Sequence, residues 1–203
     1  ILISVVILGL FIFCNYETNK NKKKLVGIND KEFIKIISPN FDLKYDLTKE
    51  QIEERFKKLI KYSNPTKGKK TLFIWPEGVF SGYSYDEVIV FKELISNNFS
   101  KEHNIIFGTN QLDKQSGNFY NSMLLVDNNF RIIQNYSKRK LVPFGEFLPL
   151  ENFLNNFGFK KITEGYGSFL KGDKNSNISL GKINFLPLIC YEIIFTNLIQ
   201  KSN

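Results

Sequence analysis

The sequence predicts an α/β fold, in which strands and helices alternate and pack in layers around one core. The chain has 203 residues, which is enough for one domain with a sizeable core. Short apolar runs typical of buried strands alternate with segments in which apolar residues recur at helical spacing. The chain is therefore expected to build its domain from successive strand and helix units.

The first half of the chain contains two predicted strands and two predicted helices. Residues 25–28 and 71–75 are short apolar runs and are predicted to be strands. Thr48 and Gln51 form a capping box, which opens a helix whose apolar face comprises Ile52, Phe56, Leu59 and Ile60. Residues 85–97 are predicted to form a second helix with four side chains available for packing, namely Val88, Phe91, Leu94 and Ile95.

The second half is predicted to be richer in strands. Residues 105–109, 120–126 and 131–136 form three of them, and a turn at 127–129 joins the last two. An apolar run over 183–189 then leads as a strand into Cys190, which is followed by a short helix.

A segment rich in Phe, Gly and Asn, residues 143–171, predicts a long loop, and such loops inside compact domains usually serve function. We interpret it as a lid whose exposed phenylalanines, Phe153 and Phe157 among them, contact lipid. The alternative is that these aromatic side chains simply pack on the core.

Three residues are candidates for an acyl-transfer site. Glu77 follows an apolar strand, Lys138 opens the segment KRKLVPFGE, and Cys190 occupies a strand–turn–helix position. A cysteine attacks a carbonyl carbon as a thiolate and needs a nearby cation or base, which Lys138 and Glu77 would supply. The lysine and the backbone N–H after the cysteine would bind the oxyanion. The alternatives are a structural cysteine at 190 and an ordinary loop carboxylate at 77.

Metal and nucleic-acid chemistry are poorly supported by the sequence. His103 is the single histidine, predicted at a helix-to-strand junction, and Cys14 is far from Cys190 in the chain. No group of three or four ligands has metal-site spacing, so no metal or cofactor is predicted. The net charge of +8 is not concentrated in a recognisable nucleic-acid-binding module, so nucleic acid is not a predicted partner.

The segments WPEG, YSKRKLVPFGE and ICYE resemble those of the nitrilase, or carbon-nitrogen hydrolase, superfamily. The uninterrupted LVPFGEF at 141–147 is most similar to the bacterial apolipoprotein N-acyltransferases. The resemblance implies a nitrilase-like α-β-β-α sandwich over residues 25–203, truncated at its carboxyl end. The chain is accordingly expected to be a fragment.

The resemblance also implies a role for each matching residue. Glu77 would be the proton acceptor, Lys138 the residue that stabilises the intermediate, and Cys190 the nucleophile that becomes a thioester. Three further residues would support them: Glu146 by assisting the lysine and the transition state, and Tyr191 and Glu192 by shaping the pocket. Tyr45 stands where the family usually has Trp.

The reaction implied by the resemblance is a two-step acyl transfer without cofactor or metal. A fatty acyl chain passes from a phospholipid to the cysteine, and then to the N-terminal amine of diacylglyceryl-cysteine in an apolipoprotein. Two alternatives remain open. One is a nitrilase-type amidase that hydrolyses a small amide, and the other is an inactive remnant of the acyltransferase.

The amino-terminal residues suggest a membrane protein. Residues 1–13 are an apolar run shorter than the about 20 residues that a bilayer crossing needs. We interpret residues 1–14 as the end of a transmembrane helix and 15–24 as a basic juxtamembrane linker, with a signal peptide or a buried core helix as alternatives. The lysines at 20–24 favour a cytoplasmic location, whereas the resemblance implies a bacterial inner-membrane enzyme whose domain faces the periplasm. We give the resemblance more weight.

Overall fold

The computed structural model describes residues 7–13, 15–16, 32–150, 168–173, 177–181 and 183–200. The predicted strand at 25–28 and the lid residues Phe153 and Phe157 lie outside this range. Residues 7–13 and 15–16 are helical and belong to a unit separate from the remainder of the chain. Their large apolar side chains are exposed, and within the described ranges no helix has both the length and the apolar character needed to cross a bilayer.

A five-stranded mixed sheet forms the centre of the second unit. Its strands are β1 (Glu32–Ile36), β2 (Lys70–Ile74), β3 (His103–Leu112), β4 (Phe119–Val126) and β5 (Ile132–Ser137), in that spatial order. The β2–β3 pair is parallel, and the β3–β4 and β4–β5 pairs are antiparallel. The carboxyl ends of β2 and β5 therefore lie at the same edge of the sheet, on either side of β3 and β4.

The first predicted helix is confirmed. Helix α1 runs over Lys49–Ser63, and its capping box consists of the Thr48 hydroxyl accepting from Gln51 N and the Gln51 side chain accepting from Thr48 N. Ile52, Phe56 and Leu59 are buried on its inner face. The sequence pattern therefore predicted both the start of this helix and the face that it buries.

The second predicted helix is interrupted in the structure. It consists of α2 (Tyr85–Val88), one turn of 3-10 helix (Ile89–Phe91) and α3 (Lys92–Asn98). The interruption coincides with a β-branched run at 88–90, and β-branched side chains crowd the preceding turn of an α-helix. Val88, Phe91 and Ile95 are nevertheless buried as predicted.

The two faces of the sheet enter different cores, because successive strand residues point to opposite sides. One face packs against the helices through Phe73, Ile105, Phe107, Leu124 and Val126. The other face contributes Leu72, Ile106, Leu125 and Tyr136 to a second cluster, which also contains Ile178 and Ile189. The second face is thus covered by the segment that leads to Cys190.

A short hairpin precedes Cys190. It consists of β6 (Ile178–Leu180) and β7 (Ile183–Phe185), which pair antiparallel. The predicted strand over 183–189 therefore ends four residues early, and Pro187, which has no N–H to donate to a ladder, lies in the unpaired part. A 3-10 helix (Cys190–Ile194) and helix α4 (Thr196–Gln200) follow.

Candidate active site

Glu77 opens a 3-10 helix (Glu77–Phe80) shortly after β2, which ends at Ile74. Its backbone lies so close to β3 that a Cβ added to Gly108 would be 2.5 Å from the Glu77 carbonyl oxygen. Burial raises the pKa of the Glu77 carboxyl, Lys138 opposes that rise, and Glu146 and Glu192 add to it. Glu77 is surrounded by the walls of a cavity, but that cavity is open to water, so the residue is solvent-accessible. A carboxylate with a raised pKa is a better proton acceptor than an ordinary glutamate.

Lys138 follows β5 at the same edge of the sheet. Its side chain is 2% exposed, and Nζ lies 2.8 Å from Glu146 Oε1. Its backbone is held on both sides, because Lys138 N donates to the Asn121 carbonyl and Lys138 O accepts from Gly172 N. The ammonium also lies 5.2 Å from the centre of the Tyr191 ring, which is cation–π distance.

Glu146 lies in a tight turn of the LVPFGEF segment, where it accepts three hydrogen bonds. Oε1 accepts from Lys138 Nζ and from Asn121 Nδ2, at 2.8 and 3.0 Å, and Oε2 accepts from Val142 N at 2.9 Å. This carboxylate therefore balances the buried lysine charge and fixes its position.

Cys190 begins a 3-10 helix and is a free, exposed cysteine. Its φ is +55°, a left-handed conformation that is costly for a residue with a Cβ. Cys190 lies between an extended segment and a helical turn, in agreement with the predicted strand–turn–helix position, although paired strand structure ends earlier.

The two residues after Cys190 are anchored differently. The Tyr191 hydroxyl donates to the Leu141 carbonyl at 2.7 Å, so its ring spans from the cysteine turn to the LVPFGEF segment. Burial raises the pKa of Tyr191. Glu192 is fully buried, and its carboxylate accepts hydrogen bonds from the chain segments that carry Lys138 and Cys190.

Glu77, Lys138, Glu146 and Cys190 line one cavity of about 300 Å³. Tyr45, at the position where a Trp was expected, lines the same cavity. Other lining residues include Asn121, Thr109, Val142 and Phe169. The structure thus brings together in space three short sequence segments separated by 61 and 52 positions in the chain, counted from Glu77 to Lys138 and from Lys138 to Cys190.

Several residues of this site were not identified from the sequence, and three of them make specific contacts. Asn121 binds Glu146 from β4, while Gly108 and Gly172 allow close backbone approach beside Glu77 and Lys138. A Cβ on Gly172 would lie 2.1 Å from the Ser137 carbonyl oxygen. A glycine within the predicted strand 105–109 is a signal for such an approach, whereas nothing in the local sequence distinguishes Asn121.

The described residues contain no group of three or more His, Cys, Asp or Glu side chains placed to hold a metal ion. His103 lies at the start of β3, where Nδ1 accepts from Ser100 N at 3.0 Å and Nε2 lies 3.0 Å from the Thr66 carbonyl oxygen. This histidine is 1% exposed and joins the turn before β3 to the loop after α1, as expected for a helix-to-strand junction.

This chain is similar to proteins of known name. The apolipoprotein N-acyltransferase of Rhodopseudomonas palustris is 44% identical over 85 residues, which are 41% of this chain and 16% of that protein. The apolipoprotein N-acyltransferase of Wigglesworthia glossinidia brevipalpis is 31% identical over 177 residues, which are 83% of this chain and 34% of that protein. The chain therefore spans about a third or less of the curated relatives that it matches.

A solved structure shares the fold. The CN-hydrolase superfamily protein of Xanthomonas campestris with an arsenic adduct in its active site superposes with a TM-score of 0.51 at 16% identity, covering 80% of this chain and 54% of that one. The mixed α/β sheet is thus nitrilase-like. The carbon-nitrogen hydrolase family profile matches residues 39–202, which is most of the chain. On this match, the chain belongs to the carbon-nitrogen hydrolase family.

Proposed function

We propose that this chain carries the acyl-transfer centre of an apolipoprotein N-acyltransferase, with Glu77, Lys138 and Cys190 as its catalytic residues. The observation that supports this most directly is that the three side chains line one cavity, with the lysine paired to Glu146. The similarity to proteins named apolipoprotein N-acyltransferase supports the choice of reaction within the family.

The first step forms a thioester. Glu77 takes the proton of the Cys190 thiol, and the thiolate attacks the ester carbonyl carbon of a phospholipid. The Lys138 ammonium and the backbone N–H of Tyr191 stabilise the oxyanion of the tetrahedral intermediate. The C–O bond to the glycerol then breaks, Glu77 returns the proton to the leaving oxygen, and lysophospholipid departs.

The second step transfers the acyl group to nitrogen. The N-terminal amine of a diacylglyceryl-cysteine attacks the thioester carbonyl carbon, and Glu77 takes a proton from that amine. Collapse of the intermediate breaks the C–S bond, and the proton passes to the departing sulfur to regenerate the thiol. Thioesters acylate amines without nucleotide or metal, so the proposed reaction requires no cofactor.

The supporting residues have distinct tasks in this scheme. Glu146 keeps a counter-charge beside Lys138 in the ground state, so the buried ammonium is held in place before the oxyanion forms. The Tyr191 ring lies against the ammonium and is fixed by its bond to Leu141, which orients the first backbone N–H after the nucleophile.

We propose that the protein acts at the bacterial inner membrane, with this domain facing the periplasm. In this arrangement residues 1–14 belong to a membrane helix, 15–24 form a linker, and 25–203 contribute the catalytic domain. The exposed apolar side chains of the helical residues 7–13 and 15–16 are compatible with lipid contact. The partners are a phospholipid donor and an apolipoprotein acceptor.

Intact-mass spectrometry tests the proposal. The protein in detergent is incubated with phosphatidylethanolamine, and the mass increment of one fatty acyl group is sought in the parent, in Cys190→Ala and in the matched control Cys14→Ala. The proposal expects the increment in the parent and in C14A, its loss in C190A, and its release by hydroxylamine. An unmodified parent that hydrolyses small amides would instead identify a nitrilase-type amidase.

A further inference from the structure

Glu192 connects the two chain segments that carry the nucleophile and the lysine. Oε1 accepts from the backbone N–H groups of Arg139 and Lys140, at 2.8 and 2.9 Å. Oε2 accepts from Ile189 N at 2.9 Å and from the Tyr136 hydroxyl at 2.8 Å. One fully buried carboxylate thus binds the residues directly after Lys138 and the residue directly before Cys190.

Three of these four donors are backbone groups, and the fourth is the side chain of Tyr136. The Tyr136 side chain is 1% exposed, and its oxygen accepts from Arg139 Nε at 3.3 Å. Because the Tyr136 oxygen accepts from Arg139, its own hydrogen is directed to the Glu192 carboxylate. Burial raises the pKa of Tyr136 to about 12, so the hydroxyl remains a donor at every pH at which the protein would work.

The nucleophile needs such external support. Cys190 has φ +55°, and a non-glycine residue keeps this conformation only when its surroundings impose it. The bond from Ile189 N to Glu192, together with the bond from Glu192 N to the Ile189 carbonyl at 3.2 Å, closes the turn around Cys190. A Glu192 side chain that moved would release this turn and the backbone after Lys138 together.

We infer that Tyr136 is a positioning residue for the acyl-transfer site, because its hydroxyl fixes Glu192 and thereby sets the placement of Cys190 relative to Lys138. Tyr136 does not contact the reacting atoms. It acts through the buried carboxylate. The inference rests on the proposed function for its kinetic consequence, but its consequence for thiol reactivity is independent of the acyl donor.

Tyr136→Phe tests this role, with Tyr85→Phe as the matched control. Tyr85 is a half-buried tyrosine whose hydroxyl, like that of Tyr136, donates a hydrogen bond, here to the Phe130 carbonyl at 2.7 Å. It packs on the helical face of the sheet, away from the cavity. The first measurement is the rate of thioester formation against donor concentration. We expect the saturating rate of Y136F to fall about 10-fold with an unchanged half-saturating concentration, because misplaced reacting groups slow the chemical step. We expect Y85F to stay within about twofold of the parent.

The second measurement needs no phospholipid. In a Cys14→Ala background, iodoacetamide alkylates the Cys190 sulfur with loss of iodide, and peptide mass spectrometry gives the rate. We expect slower alkylation in Y136F than in Y85F at a temperature where circular dichroism shows both fully folded. Equal alkylation rates in the two variants would overturn the inference, even if the parent forms no acyl adduct. If Y136F does not fold at any temperature, Glu192→Gln is measured in its place. An alkylation rate in E192Q equal to that of the parent would then overturn the inference.

Discussion

Replacing Glu146 with Gln removes one negative charge from the site while preserving the size of the side chain. In the parent, Glu146 Oε1 lies 2.8 Å from Lys138 Nζ, and these side chains are 14% and 2% exposed. Oε2 accepts from Val142 N at 2.9 Å. In E146Q the buried ammonium loses its directly paired carboxylate, and a Gln amide that accepts from Lys138 directs its NH₂ group at the Val142 N–H. The interaction with Lys138 therefore weakens, and the hydrogen bond from Val142 N is replaced by a contact between two donors.

The size of the effect follows from this burial. Removing one partner of a buried ion pair destabilises a protein by about 3–5 kcal/mol, because an uncompensated charge is left behind. Since the Gln oxygen still accepts from the ammonium, we expect the lower end, about 3 kcal/mol of the free energy of unfolding. In the mechanism that we propose, the Lys138 ammonium meets the oxyanion. The rate of thioester formation should therefore fall by about 100-fold or more, because that ammonium is no longer held.

Urea unfolding followed by tryptophan fluorescence measures the stability change. Trp75 is the single tryptophan of the chain, is 3% exposed, and donates from Nε1 to Ser63 Oγ at 3.0 Å, so its emission reports exposure of the core. The matched control is Glu53→Gln on α1. Glu53 pairs with Lys57 at 2.7 Å, but those side chains are 40% and 60% exposed, so the same chemical change should leave stability unaltered within error.

The comparison between the two variants decides the question. If E146Q and E53Q unfold at the same urea concentration, the Lys138–Glu146 pair does not carry the stabilising charge that its burial implies. If E146Q is destabilised but forms the thioester at the parental rate, Glu146 maintains the fold and has no part in oxyanion stabilisation.

Three further predictions concern the proton acceptor, its close backbone contact and the core. Burial raises the pKa of Glu77, and in the proposed mechanism its carboxylate form accepts the thiol proton. The rate of thioester formation should therefore decline on acidification at a pH above about 4.3, the ordinary pKa of a glutamate. A pH–rate profile with its acid limb below that value would contradict this. Gly108→Ala should lower both the melting temperature and the rate of thioester formation, because its Cβ would lie 2.5 Å from the Glu77 carbonyl oxygen. Overpacking of this kind destabilises a protein by about 1–3 kcal/mol. A variant with the melting temperature of the parent would show that β3 can shift to accept the methyl group. Phe56→Ala should lower the free energy of unfolding, measured with urea, by about 3–5 kcal/mol, because the ring is fully buried among four aromatic rings. Tyr62→Ala, on the exposed side of the same helix, should lower it clearly less.

Strands β2 to β5 were predictable because they have a strong local signal, whereas β1 was not predicted. Leu72 and Phe73, like Ile105 and Ile106, enter opposite cores, so these strands appear in the sequence as continuous apolar runs. The end of the strand before Cys190 was predicted wrongly, since apolar character continued past the point where pairing stops. Pro187 and Ile189 are buried although they do not belong to a hydrogen-bonded strand pair.

The site was predictable only in part. Short motifs marked Glu77, Lys138 and Glu146, and the structure brings them to one cavity. The role of Glu192 as a connection between two segments depends on distances across 52 to 56 positions of chain, which no local pattern encodes. Asn121 was missed for the same reason, because an Asn within a strand gives no sign of the carboxylate that it will meet.

The left-handed backbone at Cys190 has a consequence for how this position would evolve. A residue with a Cβ costs about 1–2 kcal/mol there, and glycine would remove that cost. Selection for stability alone therefore favours glycine at 190, whereas selection for the thiol chemistry that we propose opposes it. The position is one where stability and reactivity are in direct conflict, so Cys190→Gly should unfold at a higher urea concentration than Cys190→Ala, and a chain released from the need to react would gain by losing its thiol.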